Sequence, residues 1–193
     1  GAFVNTEDVV ISAEITDSNG LDISSLRLEI DGVVYPVDYI TSLRSISLPV
    51  TLREGVHSIK ITAKDIHEHT SIYEGIATVD VTLPILLETA PDKTLGYYYT
   101  NINNPEISFY LSDNIAFDTD ASKYGIMYYN RNRELIEAPS EIEKQSYAVN
   151  GEIVKVSCLP SFVLEEERQY GFKVVATDRA GNSAAISWAR FIP

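Results

Sequence analysis

Two loops of this chain carry oxygen ligands at a density that suits a hard cation. The oxygen-bearing residues are Asp17, Asn19 and Asp22 in "TDSNGLD", and Asp113, Asn114, Asp118 and Asp120 in "SDNIAFDTD". Calcium prefers several carboxylate and amide oxygens, so one interpretation is a calcium site in each loop. The spacing is not that of an EF-hand, and Asp and Asn also cap turns between strands, which is the alternative. No other cofactor is predicted.

The stretch "FKVVATDRAGN", residues 172–182, could belong to an active site or to the end of a β-hairpin. Asp178 can accept hydrogen bonds from the N–H groups of its own loop. Gly181 can adopt the positive φ that closes a hairpin, and Asn182 tolerates it nearly as well. The related stretch "ITAKDIHEH" keeps only the acid, as Asp65. A catalytic set would keep its polar residues, so the pattern favours a hairpin.

Histidine is the other residue type that could do chemistry. In "DIHEH", His67 and His69 lie two apart and could form a metal clip with Asp65, although an exposed polar loop explains the run as well. His57 shares the inward phase of Ile59 and Ile61, which indicates a core or corner residue rather than a base. No nucleophile motif, phosphate loop or basic stretch is present in the sequence, so we predict that the chain is not an enzyme.

Aromatic residues raise a separate binding hypothesis. "GYYYTN" holds Tyr97, Tyr98 and Tyr99 in sequence, and Trp188 lies in "AAISWARF". Consecutive residues of a strand face opposite sides, so at least one of these tyrosines faces away from a half-buried sheet. Aromatic rings stack on sugars and anchor interfaces, which predicts a glycan or protein ligand. Packing in the core is the alternative.

Composition limits the partners. The 193-residue chain has a formal net charge of −13, which repels nucleic acid phosphates and anionic lipid and attracts cations. Its one cysteine, Cys158, lies in an apolar strand-like run and is interpreted as a small buried hydrophobe. No apolar run is long enough to span a bilayer, and the start does not resemble a signal peptide. We expect a fragment of a longer protein.

The elements that position these residues are predicted to be strands. Apolar and polar residues alternate throughout, for example in "HSIKITAK" and "EIVKVSCL", and Gly, Asn, Asp and Pro separate the runs. The pattern occurs twice: "IKITAKD" matches "FKVVATD", and "EITDSNGLD" matches "YLSDNIAFD". The second copy is longer in its middle. We therefore predict two domains, 1–84 and 85–193, with "ILLET" as the first strand of the second.

These motifs resemble the fibronectin type III and bacterial immunoglobulin-like families of prokaryotic surface proteins. Leu164, Tyr170 and the alternating residues after them are similar to the late-strand pattern of these families, and "ATDRAGN" is similar to a hairpin of bacterial Ig-like repeats. The resemblance implies two tandem β-sandwiches and a tyrosine corner, in which the Tyr170 hydroxyl bonds to the backbone near Leu164. In the first copy His57 stands in the place of Tyr170.

The sequence therefore predicts an all-β chain of two tandem immunoglobulin-like sandwiches. The predicted function is that of a non-catalytic spacer or adhesion stalk in an extracellular or cell-surface protein. The alternative is a carbohydrate- or protein-binding module attached to an extracellular enzyme or receptor. The predicted partners are neighbouring repeats of the same chain, with a glycan or a host or cell-surface protein as ligand. Neither nucleic acid nor direct membrane insertion is expected.

Overall fold

The computed structural model describes residues 1–90, 93–94, 97–99, 107–115, 117–118, 122–129, 134–138, 140–148, 152–161 and 170–192. All regular elements among these residues are β-strands. Over residues 26–30, for example, Leu26, Leu28 and Ile30 are buried and the intervening Arg27 is exposed, as the sequence pattern predicts. The described residues contain no helix that could carry the chain across a membrane.

The chain forms two compact units, Gly1–Val81 and Thr82–Pro193. The strands of unit 1 are β1 Ala2–Val4, β2 Asp8–Glu14, β3 Leu21–Ile30, β4 Val33–Tyr35, β5 Tyr39–Ile40, β6 Ser45–Thr51, β7 Gly55–Asp65 and β8 Thr70–Val79. They form a five-stranded sheet, β1-β8-β7-β3-β4, and a three-stranded sheet, β2-β6-β5.

Unit 2 repeats this plan with additional strands. They are β9 Ile85–Ala90, β10 Lys93–Thr94, β11 Tyr97–Tyr99, β12 Ile107–Asp113, β13 Lys123–Tyr129, β14 Leu135–Ala138, β15 Ser140–Ala148, β16 Glu152–Pro160, β17 Tyr170–Thr177 and β18 Ser183–Ile192. Their sheets have the orders β10-β11-β18-β17-β13-β14 and β15-β16-β12-β9.

The strand order of both units is that of an immunoglobulin sandwich. With the strands lettered in chain order, β9, β12, β16 and β15 stand as A-B-E-D, and β18, β17, β13 and β14 as G-F-C-C′. Unit 1 repeats this with β2, β6 and β5 as B-E-D and β8, β7, β3 and β4 as G-F-C-C′. No strand of unit 1 stands in the A position, so β2 is an edge strand.

An early strand pairs in parallel with the last strand in each unit. In unit 1, β1 pairs with β8 from Ala2↔Ala77 to Val4↔Val79, and in unit 2, β11 pairs with β18 from Tyr97↔Arg190 to Tyr99↔Ile192. All other pairings are antiparallel. In unit 1 this pairing joins the first strand to the last, whereas in unit 2 β9 and β10 precede the paired strand β11.

Each unit has its own apolar core. In unit 1 the fully buried side chains include Leu28, Ile46 and Val79, which come from both sheets. In unit 2 Leu111 and Cys158 are fully buried. Burial raises the pKa of the Cys158 thiol to about 12, so the thiolate is absent at neutral pH. The prediction that this cysteine is a buried hydrophobe is confirmed.

Candidate functional site

The hairpin between β17 and β18 is closed by a single aspartate. Asp178 Oδ1 accepts the backbone N–H of Asn182 at 2.9 Å, and Oδ2 accepts its side-chain Nδ2–H at 2.7 Å. Gly181 has a φ of 91°, a backbone conformation that favours glycine. These contacts hold the turn in one conformation and engage both carboxylate oxygens.

The hairpin between β7 and β8 has the same construction with different residues. Asp65 Oδ1 accepts the N–H of His69 at 2.9 Å, and the His69 ring donates from Nδ1 to Oδ2 at 2.7 Å. Glu68, with a φ of 69°, stands in the position of Gly181. The hydrogen bond from His69 lowers the pKa of Asp65, and Asp65 raises the pKa of His69. His69 therefore makes the same two hydrogen bonds to the turn aspartate that Asn182 makes in unit 2.

This construction accounts for the His-Glu-His run. The His67 and His69 ring centroids lie 6.4 Å apart, and Asp65 is already engaged by the turn. Among the described residues, no histidine belongs to a group of three metal-ligating side chains.

Exchanging the residues at the left-handed position should change stability in opposite directions. Glu68→Gly is expected to raise the free energy of unfolding by about 0.5 kcal/mol, because glycine removes backbone strain but loses more chain entropy. Gly181→Ala is expected to lower it by about 1 kcal/mol through strain alone, since a Cβ there meets nothing within 4 Å. Urea unfolding measures both changes, and equal signs would contradict the equivalence of the two hairpins.

In each unit, one serine links the aspartate-containing loop to the strand that precedes the hairpin. Neither serine was identified from the sequence. Ser122 Oγ donates to the Asp118 carbonyl at 2.7 Å and accepts the Thr177 N–H at 2.9 Å. In unit 1, Ser25 Oγ donates to the Asp22 carbonyl at 2.6 Å and accepts the Lys64 N–H at 2.8 Å. Because Ser25 follows its aspartate by three residues and Ser122 by four, an ungapped match of the two copies misses the pair.

The carboxylates of the first predicted calcium loop shape turns. Asp17 Oδ1 accepts the N–H groups of Asn19 and Gly20 at 2.7 and 2.9 Å. Asp22 Oδ1 accepts the hydroxyl and the N–H of Ser24 at 2.6 and 3.0 Å, and the hydroxyl bond lowers the pKa of Asp22. These are the bonds of the turn-capping alternative.

In the second loop the structure brings Asp113 together with the hairpin aspartate. The carboxylate oxygens of Asp113 and Asp178 lie within 4.8 Å, and both residues are buried. Asp113 Oδ1 accepts the N–H of Ile115 at 3.0 Å, as Asp17 does in its own loop. Asp118 donates its N–H to the Thr177 carbonyl. Asp120 lies outside the described residues, and calcium at either loop stays a prediction.

His57 forms a bridge between two turns of unit 1. Its Nδ1 lies 2.7 Å from Asp31 Oδ2, and its Nε2 lies 2.7 Å from the Arg53 carbonyl oxygen. Asp31 and Gly32 both have positive φ and form the two-residue turn between β3 and β4. Since both ring nitrogens face acceptors, the doubly protonated imidazolium satisfies both bonds. The Nε2 contact with a backbone carbonyl four residues upstream resembles the bond implied for Tyr170.

The bridge makes the stability of unit 1 depend on pH. The Arg53 carbonyl, followed by Asp31, raises the pKa of His57, and His57 lowers the pKa of Asp31. The histidine contribution is therefore full below its ordinary pKa of about 6.5 and is lost as pH rises through the raised value. The aspartate contribution is lost only as pH falls through its lowered value.

We expect unit 1 to lose about 0.5–1 kcal/mol of unfolding free energy between about pH 5.5 and about pH 8.5. This is the energy that a half-exposed ion pair contributes. Equilibrium urea unfolding at several pH values measures this loss, and His57→Gln should flatten the dependence. Asp65 raises the pKa of His69, which adds a pH dependence of the same sign, so His57→Gln is compared with the wild type in a His69→Gln background that lacks this contribution. A pH slope unchanged by His57→Gln would contradict the bridge.

The aromatic residues are placed only by their backbones. Tyr97, Tyr98 and Tyr99 form β11, and Trp188 lies in β18. Tyr170 begins β17, whereas Leu164 lies outside the described residues. The side chains of the five aromatic residues also lie outside what the structure describes, so the tyrosine corner and the aromatic binding surface stay predictions.

No protein-family model matches the chain, and no curated protein matches it. Among solved structures, it is similar to the SGBP-B protein of the Bacteroides ovatus mixed-linkage glucan utilization locus, at 14% identity and a TM-score of 0.31, over 98% of this chain and 42% of that one. It is also similar to fibronectin(III)-like modules of Clostridium thermocellum CbhA, at 11% identity and a TM-score of 0.42, over 99% of this chain and 87% of that one.

A third similar structure is a tetra-tandem repeat from the extending region of a large adhesion protein, at 13% identity and a TM-score of 0.36. The match covers 97% of this chain and 46% of that chain. The strand order within each unit, and not the strength of these similarities, makes this chain a tandem pair of immunoglobulin-like β-sandwiches.

Proposed function

We propose that this chain is a non-catalytic, load-bearing spacer segment of an extracellular or cell-surface protein. The observation that carries the proposal is the parallel pairing of an early strand with the last strand in both units. Two parallel strands have the N-terminal end of one beside the N-terminal end of the other. Tension between the start of β1 and the end of β8 therefore slides these strands along each other.

This geometry makes a unit resistant to tension. Sliding loads all the hydrogen bonds of a ladder together, whereas peeling an antiparallel hairpin from its open end breaks them one at a time. In unit 1 the ladder extends past β8, because the Asp80 N–H donates to the Val4 carbonyl at 2.9 Å. Its partners would be neighbouring repeats of the same chain, which transmit the load.

The contacts of two reactive side chains among the described residues support the non-catalytic part of the proposal. His57 Nε2 is taken up by the Arg53 carbonyl, and the Cys158 thiol is buried with a raised pKa. The net charge of −13 suits a surface that stays soluble and does not bind nucleic acid.

Pulling single molecules by their ends tests the proposal. Because the Val4 carbonyl accepts the N–H of Asp80, directly after β8, the Val4 N–H faces β8 as well, and Val4→Pro removes that donor. We expect the forced-unfolding rate of unit 1 to rise about tenfold or more. Ser12→Pro is the matched control, since the N–H of Ser12 faces away from its only neighbour, β6. Unchanged unfolding of Val4→Pro under load would overturn the proposal.

Calcium binding to unit 2 is a second candidate function, supported by the proximity of the Asp113 and Asp178 carboxylates. A divalent cation between two buried carboxylates would offset their repulsion. Calcium should then raise the melting temperature of unit 2 in the wild type and in Asp17→Asn, the matched exposed position, but not in Asp113→Asn. No calcium-dependent heat and no shift in melting temperature would exclude it.

A further inference from the structure

Unit 1 is open at a place where unit 2 is closed by a strand. In unit 2, β9 pairs antiparallel with β12, from Ser108↔Ala90 to Ser112↔Ile85. The counterpart of β12 in unit 1 is β2, which ends the three-stranded sheet and, among the residues that the structure describes, pairs only with β6. The fold therefore has a position for one more strand beside β2, and unit 2 shows what such a strand looks like.

The free edge of β2 has a defined set of hydrogen-bonding groups. The Ile15 N–H donates to the Arg44 carbonyl at 2.7 Å, which assigns the odd-numbered residues of this strand to the ladder with β6. In an antiparallel ladder the intervening residues point the other way. The N–H and C=O groups of Val10, Ser12 and Glu14 therefore face the open side, ready for a further strand.

An apolar groove accompanies this edge. It encloses about 1490 Å³ and is lined by residues of β1, β2, β7 and β8, among them Val9, Ile11, Ile61 and Tyr73. Tyr73 lies directly opposite Ile61 in the β7–β8 ladder, so both face the core. Ile61 is 7% exposed, whereas Tyr73 is 63% exposed. The exposure of a tyrosine on the core-facing side of β8 indicates that no strand among the described residues covers the core on this side of the sandwich.

Charge selects the kind of strand that fits. The acidic side chains lining the groove are Asp8, Glu14, Glu29 and Glu74. The one basic side chain among the lining residues, Lys60, is paired with Glu74 at 3.3 Å. A second copy pairing through β2, with Val10 opposite Ser12, would also place Asp8 opposite Glu14, and like charges at opposed positions are destabilising. A strand with basic ends avoids that repulsion.

We propose that the β2 edge of unit 1 binds an extended segment of another polypeptide, apolar at its centre and basic at its ends, as an added antiparallel strand. The ladder bonds of Val10, Ser12 and Glu14 would hold the backbone of this segment. Its apolar side chains would cover Tyr73 and Ile11, as β9 covers the corresponding edge of unit 2. Unit 1 thereby becomes a docking module in addition to bearing load.

The probe is a synthetic peptide based on β9, acetyl-Lys-Ile-Leu-Leu-Thr-Thr-Ala-Lys-amide, in which threonine replaces the glutamate of β9 and a lysine is added at each end. It is titrated into residues 1–193, and binding is followed by calorimetry and amide exchange. We expect binding, with new protection of the Val10, Ser12 and Glu14 amides. Two further peptides carry N-methyl groups at alternate residues, in the two possible phases. Strand addition requires that one phase binds and the other does not, because only one edge of the peptide is paired.

Ser12→Pro is expected to weaken peptide binding about tenfold or more, because proline removes an outward donor but keeps the ladder with β6. Val34→Pro, on the edge strand β4 of the other sheet, is the matched control and should bind normally. A peptide with Glu in place of each Lys should bind more weakly.

Three results would overturn the proposal. The first is no binding, or equal binding of both N-methylated phases. The second is a dimer of residues 1–193 that Ser12→Pro dissolves, because a second copy would then occupy the edge. The third is binding to residues 1–193 but not to the full gene product, because the chain itself would then fill the groove.

Discussion

Leu28→Ala is expected to lower the unfolding free energy of unit 1 by about 3–4 kcal/mol, the cost of removing a fully buried leucine from a core that cannot collapse onto the space. Leu28 has no exposed surface and lies in β3, between β7 and the edge strand β4. Its neighbours Leu26 and Ile30 on the same face are also buried, so no flexible surface side chain is available to fill the cavity.

Urea unfolding followed by two probes measures where this loss falls. The single tryptophan of the chain, Trp188, belongs to unit 2, so its fluorescence reports unit 2 while far-ultraviolet circular dichroism reports both units. We expect Leu28→Ala to move the circular dichroism transition to lower urea and to leave the fluorescence transition in place. The matched variant Leu111→Ala, in the core of unit 2, should move the fluorescence transition. A fluorescence shift with Leu28→Ala would contradict separate cores.

The strands and the internal repeat were accessible from the sequence because both rest on local patterns. Alternation of apolar and polar residues identifies a strand within a few residues. The repeat was visible because the strand before each hairpin, which leads to Asp65 in one copy and to Asp178 in the other, must bury the same alternate positions. The hairpin chemistry was also local, since Asp178 reaches only as far as Asn182.

Contacts between distant segments could not be read in the same way. His57 and Asp31 are separated by 26 residues, and nothing in either stretch indicates that a turn will place the carboxylate beside the ring. The proximity of Asp113 to Asp178 depends in the same way on how β12 and β17 are placed. The open edge of β2 is harder still to predict from the sequence, because it is defined by a strand that is missing from the unit and not by any residue.

The two hairpin turns show a further limit of prediction from sequence. Sequence comparison finds "DRAGN" and "DIHEH" dissimilar, yet both turns use an aspartate that accepts two bonds from the residue four positions on. Both turns require the aspartate as acceptor, while the side chain that donates to it can be an amide, as in Asn182, or an imidazole, as in His69. The shared role becomes visible only at the level of hydrogen bonds.

In calcium-free solution, Asp113→Asn is expected to raise the unfolding free energy of unit 2 by about 2 kcal/mol. Two ionised carboxylates at the separation of Asp113 and Asp178 repel by about 3 kcal/mol at an effective dielectric constant of about 20. The expected gain is smaller than this repulsion, because burying the asparagine amide also costs free energy. The amide keeps an oxygen for the Ile115 N–H, so the local turn bond survives the substitution.

Urea unfolding monitored by Trp188 fluorescence, in the presence of a chelator, measures the gain. Asp17→Asn is the control, because Asp17 makes the equivalent turn bond in unit 1 but is exposed, and it should change stability little. If Asp113→Asn instead destabilised unit 2 at neutral pH, the electrostatic support for a cation at this position would be lost.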